Sequence, residues 1–322
     1  MPKKQQKKVN IHKPGRDFRP ILKEAINEAG LTKKNKIFIK PNISHPEFIP
    51  GVVTDPTLLF EIVGLLRDCN DEVLVGESDG YNYSCQFAFE KTGLKEAVQK
   101  ADGSVINLSE EEVVKINFKN STKSPKELFL PKSILESDAI VDLALMKTHE
   151  FTTYSGAIKN LFGCIPSNRR IFLHPFLDEV FFKLYFILNP QLTIIDGRVG
   201  LEGNGPTKGD PIKMDLILTS NSALATDIIA LEIMGLNLDQ VSHLNYIASK
   251  RMLSRDRIKI KGLEVEEVAR KFRLPKIDLP VKAQMQIYRN EFLTKILFCS
   301  LDIVKIFQKI TLAYRGKAIE VN

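Results

Sequence analysis

The sequence has no pair of cysteines in a CxxC arrangement. Its four cysteines, Cys69, Cys85, Cys164 and Cys299, lie far apart. That spacing speaks against a structural zinc site and a self-contained iron–sulfur cluster, and fits free thiols in a reducing compartment. Nor is there a charge-free run of about 18 residues, so no spanning helix is expected. The first ten residues are polar with no apolar stretch behind them, so no signal peptide is expected and a cytoplasmic location follows. No GxxxxGK[ST] segment marks a P-loop. The cluster Gly203-Asn204-Gly205-Pro206 puts proline where the helix of a dinucleotide fold would begin to donate N–H groups.

A chain of 322 residues with 43% apolar and 26% charged content can bury a sizeable core. The net charge of +7 sits mostly at the ends: residues 1–16 hold six Lys/Arg and no acid, and 281–322 hold seven against three. The body between is mildly acidic, which argues against a nucleic-acid-binding core. Basic ends suit an anionic partner or simple solubility.

Three segments are expected: a disordered basic tail over 1–16, an α/β domain over 17–280 and a C-terminal amphipathic helical extension over 281–322. Helical spacing covers 17–30. Strands are predicted at KIFIKPNI, at 72–77 and at 104–107, with a helix near 84–100 before the last. Thr54 and Asp55 before Pro56 form a helix start. Residues 109–130 read as a small strand-rich insertion. AIVDLALM, 139–146, is the apolar run of a strand buried on both faces, and 142–166 leads from it through a loop to a short helix. A helix over 176–188, a strand over 192–197, a glycine-rich loop over 198–210 with four glycines, another strand and helices at 223–235 and 241–250 follow. Alternating strands and helices mean a mostly parallel, mixed sheet flanked by helices. The segment 292–310 is amphipathic, with lysines 295, 305 and 309 among apolar residues. It is suited to its own domain, a partner protein or the surface of an anionic membrane.

Several of these segments, K-P-N at 40–42, T-D-P at 54–56, G-E-S at 76–78, K-T-H at 147–149, GAIKNLFG ending at 163, I-I-D-G at 194–197 and E-G-N-G-P at 202–206, together resemble the family known as domain of unknown function 362. The resemblance runs through about residues 36–275. It implies an α/β fold with a shared pocket and gives no reaction. Many relatives carry an added ferredoxin-like domain with clustered cysteines; this chain departs from that pattern. In outline the chain is similar, more distantly, to nickel-dependent lactate racemase, whose ligands have no match here.

The candidate site gathers at predicted strand ends. Lys40 and Asn42 could hold an anionic group, or simply form a turn. Glu77 and Asp79 could bind a divalent cation or serve as acid and base, or form a solvated turn. Lys147 and His149 are the candidate catalytic pair: two residues apart on extended chain, they face one way, and the lysine favours a neutral histidine. The alternative is a buried histidine satisfied by a carbonyl. Lys159 and Asn160 lie in the short helix after Gly156, a natural anion site. Arg169, Arg170 and His174 follow, as a clamp or as solvated side chains. Asp196 and Glu202 are candidate metal ligands, and Gly203, Asn204 and Gly205 a ligand loop, or a tight turn. Asp55 and Asp227 read as structural. The functions that fit are an enzyme acting on a small anionic ligand, with a divalent metal as one option (isomerase, hydrolase or redox step), a cofactor or metabolite carrier, or a redox protein with a separate iron–sulfur partner. Cofactor and oligomeric state are not readable.

Overall fold

The computed structural model describes residues 6–15, 17–118, 125–166 and 170–298, without the side chain of Pro280. In chain order the elements are β1 Lys7–His12, α1 Arg19–Glu28, β2 Lys36–Lys40, α2 Pro56–Arg67, β3 Glu72–Glu77, α3 Cys85–Lys91, α4 Leu94–Lys100, β4 Ser104–Asn107, β5 Val113–Asn117, β6 Glu127–Pro131, α5 Lys132–Leu135 and β7 Ala139–His149. Then come β8 Thr153–Ser155, α6 Ala157–Asn160, α7 Leu177–Leu188, β9 Leu192–Asn204, β10 Lys208–Ser220, α8 Ala223–Ile233, α9 Ser242–Arg251, β11 Ile258–Gly262, α10 Val265–Val268, α11 Leu279–Arg289 and α12 Glu291–Leu297.

One sheet runs β11-β1-β10-β9-β7-β2-β3-β4, with β8 paired to the end of β7. The pairs β7–β2, β2–β3, β3–β4, β7–β9 and β1–β11 are parallel; β1–β10, β9–β10 and β7–β8 are antiparallel. The fold is thus α/β with a mixed, mostly parallel sheet. β7 is buried along all eleven residues because apolar layers cover both faces. Ile140, Ala144 and Met146 join α7, α8 and α9 on one face, and Val141 and Leu143 join α1, α2 and α4 on the other. β5 and β6 form a separate antiparallel hairpin, the expected insertion. No helix among the described residues is long and apolar enough to cross a membrane.

Four expectations need correction. Residues 7–12, expected in a disordered tail, are β1: Val9 and Ile11 alternate into the core with no exposure, and the surrounding lysines masked that period. The helix expected over 84–100 is two, broken where Gly93 takes φ +77°. The strand ending near 146 runs on to His149, because β8 folds back and pairs with it. The glycine-rich loop is the body of a β9–β10 hairpin, paired from Asn204↔Lys208 down to Thr193↔Ser220. At the C-terminus α11 and α12 are helical as expected, packed against the 3-10 turn Ile171–Phe176. The remainder of 292–310 lies outside the described residues.

Candidate functional site

The sheet order reverses at β2: β3 and β4 lie on one side of it and β7 on the other. Open α/β sheets bind ligands outside the carboxyl ends of strands at such a point. Lys40, Glu77 and Lys147 stand at those ends of β2, β3 and β7.

Lys40 is fully buried, and its Nζ donates to Glu77 Oε2 at 2.5 Å and to Pro41 O at 2.7 Å. Glu77 Oε1 accepts the Ser78 N–H at 3.0 Å. Both charges have left water, so removing either partner strands the other. Gly163 lies on this pair. A Cβ there would run into Glu77 Oε1 and come within 2.8 Å of Lys40 Nζ, so only glycine fits. Ser78 Oγ fixes the same segment, 2.7 Å from Gly163 O and 3.0 Å from Ile165 O.

Beside the pair, Lys147 Nζ donates to Asn42 Oδ1 at 2.7 Å, Ser44 Oγ at 2.6 Å and Val52 O at 3.1 Å. All three acceptors are neutral. Burial holds this amine well below the ordinary lysine value; Lys159 and Lys40 push the same way and Glu77 opposes them. Asn42 Nδ2 donates to Asn160 Oδ1 at 2.9 Å. Asn160 Nδ2 in turn donates to Asp142 Oδ1 at 2.7 Å and lies 3.2 Å from Lys40 O. Burial raises the Asp142 carboxyl well above its usual range against the Asn160 bond. Asp142 Oδ2 and Thr193 Oγ1, on register partners of β7 and β9, are buried without a hydrogen-bond partner among the described residues.

Lys159 differs from the other two lysines. It is half-buried on α6 and has no hydrogen-bond or ion-pair partner among the described residues. Burial, then the nearby Arg170, brings its amine down to about 8, with Glu77 opposing. Arg170 donates to Asp79 O and lies within electrostatic reach of Glu77 and Asp79. The start of α6 is held by Asp227, whose carboxylate accepts from Ala157 N and Ile158 N, both at 2.8 Å, and from Tyr154 OH at 2.8 Å. Burial pushes Asp227 up to about 6 against those three donors. Gly156 leaves room for the contact, since a Cβ would strike Tyr154 OH and Asp227 Oδ1.

Aromatic groups stand at the edge. His149 Nδ1 accepts the Phe151 N–H at 3.0 Å, so this nitrogen carries no proton. Thr153, the register partner of His149, sits at φ +65°, a strained conformation for a β-branched residue. The His174 ring lies 4.8 Å from Tyr288 of α11, which also meets Phe151 at 5.7 Å. Burial brings His174 down to about 4, while its bonds to the Ile171 and Arg170 carbonyls oppose the shift.

Of the residues expected from sequence, Lys40, Asn42, Glu77, Lys147, Lys159 and Asn160 come together. The four acids named as candidate metal ligands or acid–base groups are not gathered in one place. Asp79 accepts from Cys85 N at 2.8 Å and Asn107 Nδ2 at 3.1 Å. Asp196 is gripped by Arg198 at 2.9 and 2.8 Å, and Glu202 by Arg273 Nε at 2.8 Å. Among the described residues no three of His, Cys, Asp or Glu are grouped to hold a metal ion. The expected ligand loop is also engaged internally. Gly203 O accepts from Thr148 Oγ1 at 2.8 Å, Asn204 Oδ1 accepts from Lys276 N at 2.8 Å, and a Cβ on Gly205 would strike Thr148 O. Arg169 lies outside the described residues. Ser44, Asp142 and Gly163 were missed. Asp142 did leave a signal, as a carboxyl inside an apolar strand.

The chain is similar to three known proteins. A thylakoid-associated protein of Synechocystis is 24% identical over 212 residues, 63% of this chain and 64% of that protein, so the chain spans under two thirds of that relative's length. The lactate racemase apoprotein from Thermoanaerobacterium thermosaccharolyticum is 16% identical, with a TM-score of 0.44 over 70% of this chain and 57% of that one. A Thermotoga maritima protein solved by a structural-genomics consortium is 10% identical, with a TM-score of 0.39 over 77% and 60%. The family model described as domain of unknown function (DUF362) matches residues 37–232, which takes in β2, β3, β7, α6 and the lysines they carry, and the chain belongs to that family.

Proposed function

We propose that the protein binds a small anionic metabolite at the ends of β2, β3 and β7, and that Lys159 performs acid–base work on it. The observation that carries this reading is the lack of a partner for Lys159 among the described residues, beside Lys40, Lys147 and Arg170, which each have one. Lys40 and Arg170 add positive charge there, and Glu77 is already paired with Lys40. An entering carboxylate or phosphate would meet an ammonium and a guanidinium partly removed from water, where such contacts are strong. An amine near 8 is close enough to neutrality to give up and regain a proton. In this reading Lys147 positions rather than reacts, since its three acceptors already use its hydrogens. That engagement also favours a second reading, a carrier using the same residues without turnover.

The test is calorimetric titration with inorganic phosphate and with small mono- and dicarboxylates, at constant ionic strength. Below pH 8 Lys159 is protonated and binding is expected; at pH 9, one unit above its titration, affinity falls about tenfold. Lys159→Met should lose the binding and its pH dependence together. Binding that is unchanged in Lys159→Met, or equal at pH 7 and pH 9, overturns the reading. Bound ligand that emerges chemically unaltered from prolonged incubation favours the carrier.

A further inference from the structure

We infer, on the reading of these strand ends as an anion site, that Asp142 is a positioning residue for it. From inside the core it orients Lys147 and anchors α6 through the side-chain amides of Asn160 and Asn42. Asp142 is fully buried on β7, among Ile140, Ala144 and Met146. Its Oδ1 accepts from Asn160 Nδ2 at 2.7 Å, whereas its Oδ2 has no hydrogen-bond partner among the described residues. A buried carboxyl with one oxygen idle opposes folding, and an apolar side chain of the same shape would not. The use of this carboxyl therefore lies in its bond to Asn160.

That bond begins a chain of amides. An amide has a donor end and an acceptor end of nearly the same shape, so its neighbours decide which way it faces. Asn160 turns Nδ2 to Asp142 Oδ1, and more distantly to Lys40 O at 3.2 Å and Leu143 O at 3.4 Å. Its Oδ1 is then left for Asn42 Nδ2 at 2.9 Å. Asn42 Oδ1 in turn faces Lys147 Nζ at 2.7 Å and Ser44 Oγ at 3.0 Å. The donors thus all point one way, from the Lys147 amine down to the Asp142 oxygen. Hydrogen bonds aligned like this polarise one another, and an amide turned round would set donor against donor. Lys147 and Asp142 share β7 yet point to opposite faces. The lysine reaches Val52 in the layer of α1 and α2, and the carboxyl reaches Asn160 on α6. The amides join them around the end of β2. Asn160 also closes α6 directly after Lys159, so the same bond sets where that amine stands.

Nitrogen–proton NMR spectra of the side-chain amides and amines in the full chain test the inference. Asp142→Leu keeps the branching and drops the acceptor. In it the Asn160 amide signals should move, and with them those of Asn42 and Lys147, neither of which is bonded to Asp142. In Asp142→Asn, whose carbonyl still accepts, the Asn42 and Lys147 signals should stay as in the wild type. Phosphate affinity should fall at least about tenfold in Asp142→Leu and stay within about threefold in Asp142→Asn. Both variants should melt within a few degrees of the wild type, with slow amide exchange kept at Ala157 and Ile158. Asn42 and Lys147 signals unmoved in Asp142→Leu overturn the inference. So does an equal loss of melting temperature and affinity in both variants, the mark of a carboxyl that only supports the fold. Should Asp142→Leu fail to fold, Lys147→Met reads the chain from its other end, and unmoved Asn160 amide signals there overturn it as well. A wild type that binds no phosphate while the signals move as described sinks the anion reading and supports the control of Lys147 by Asp142.

Discussion

A single side chain in the core shows how strongly burial decides behaviour. His243 on α9 has no exposure, packs edge-on to the Phe181 ring at 5.0 Å, and neither ring nitrogen has a hydrogen-bond partner among the described residues. Burial, with Lys159 nearby, holds its pKa at about 3. The unfolded chain takes up a proton as pH falls through 6.5, whereas the folded chain refuses it until about 3, so this residue removes stability as pH drops between those values. At pH 5 the penalty is about 2 kcal/mol, from about 1.4 kcal/mol per pH unit. His243→Leu should therefore be at least as stable at pH 7, and at pH 5 should gain about 2 kcal/mol over the wild type in urea unfolding. A loss of equal size at both pH values would contradict this account. The histidine was visible in sequence, but its lack of partners depends on Phe181, some sixty residues away in the chain, and no local spacing shows that.

At the scale of elements, the short α6 cannot hold itself. Four residues are far below the length at which a helix is stable alone, and the N–H groups that open it would be orphaned. Asp227 on α8 satisfies two of them from across the core. Asp227→Ala leaves those two donors and Tyr154 OH without an acceptor and should cost about 3 kcal/mol or more. Amide exchange at Ala157 and Ile158 should speed up, and anion binding through Lys159 should weaken with it. Normal exchange at both amides would show that α6 is held by packing instead. Sequence spacing places Asp227 near the start of its own helix and so suggests a service to that helix; the structure turns it to another one. Strand ends were more legible. Lys40, Glu77 and Lys147 each follow an apolar run, and a charge placed there needs a partner. The β9–β10 hairpin was not legible, because four glycines suggest a loop. Of them Gly203 takes φ +76°, and Gly205 and Gly209 permit close backbone approach to Thr148 and to Glu202.

For the whole molecule, the sheet joins strands far apart in sequence. β1 lies between β10 and β11, pairing Asn10 with Thr219 on one side and Lys7 with Ile258 on the other. Deleting residues 1–12 removes the burial of Val9 and Ile11, about 3–6 kcal/mol together, and opens two strand edges. Such a variant should melt far lower and aggregate, while deletion of residues 1–5 alone should leave the melting temperature within a few degrees. Equal melting of the two would sink the assignment of β1 as an integral strand. The charge count pointed to a tail here, because lysines at positions 7 and 8 outweighed an apolar alternation only three residues long. Its placement also sets an order of events during synthesis. β1 leaves the ribosome well before its partners, since the strands on its two flanks emerge only some two hundred residues later, and it waits unpaired until then. A waiting strand with two open edges invites pairing with neighbouring nascent chains, and the lysines crowding it act as guards that keep it apart until β10 and β11 arrive.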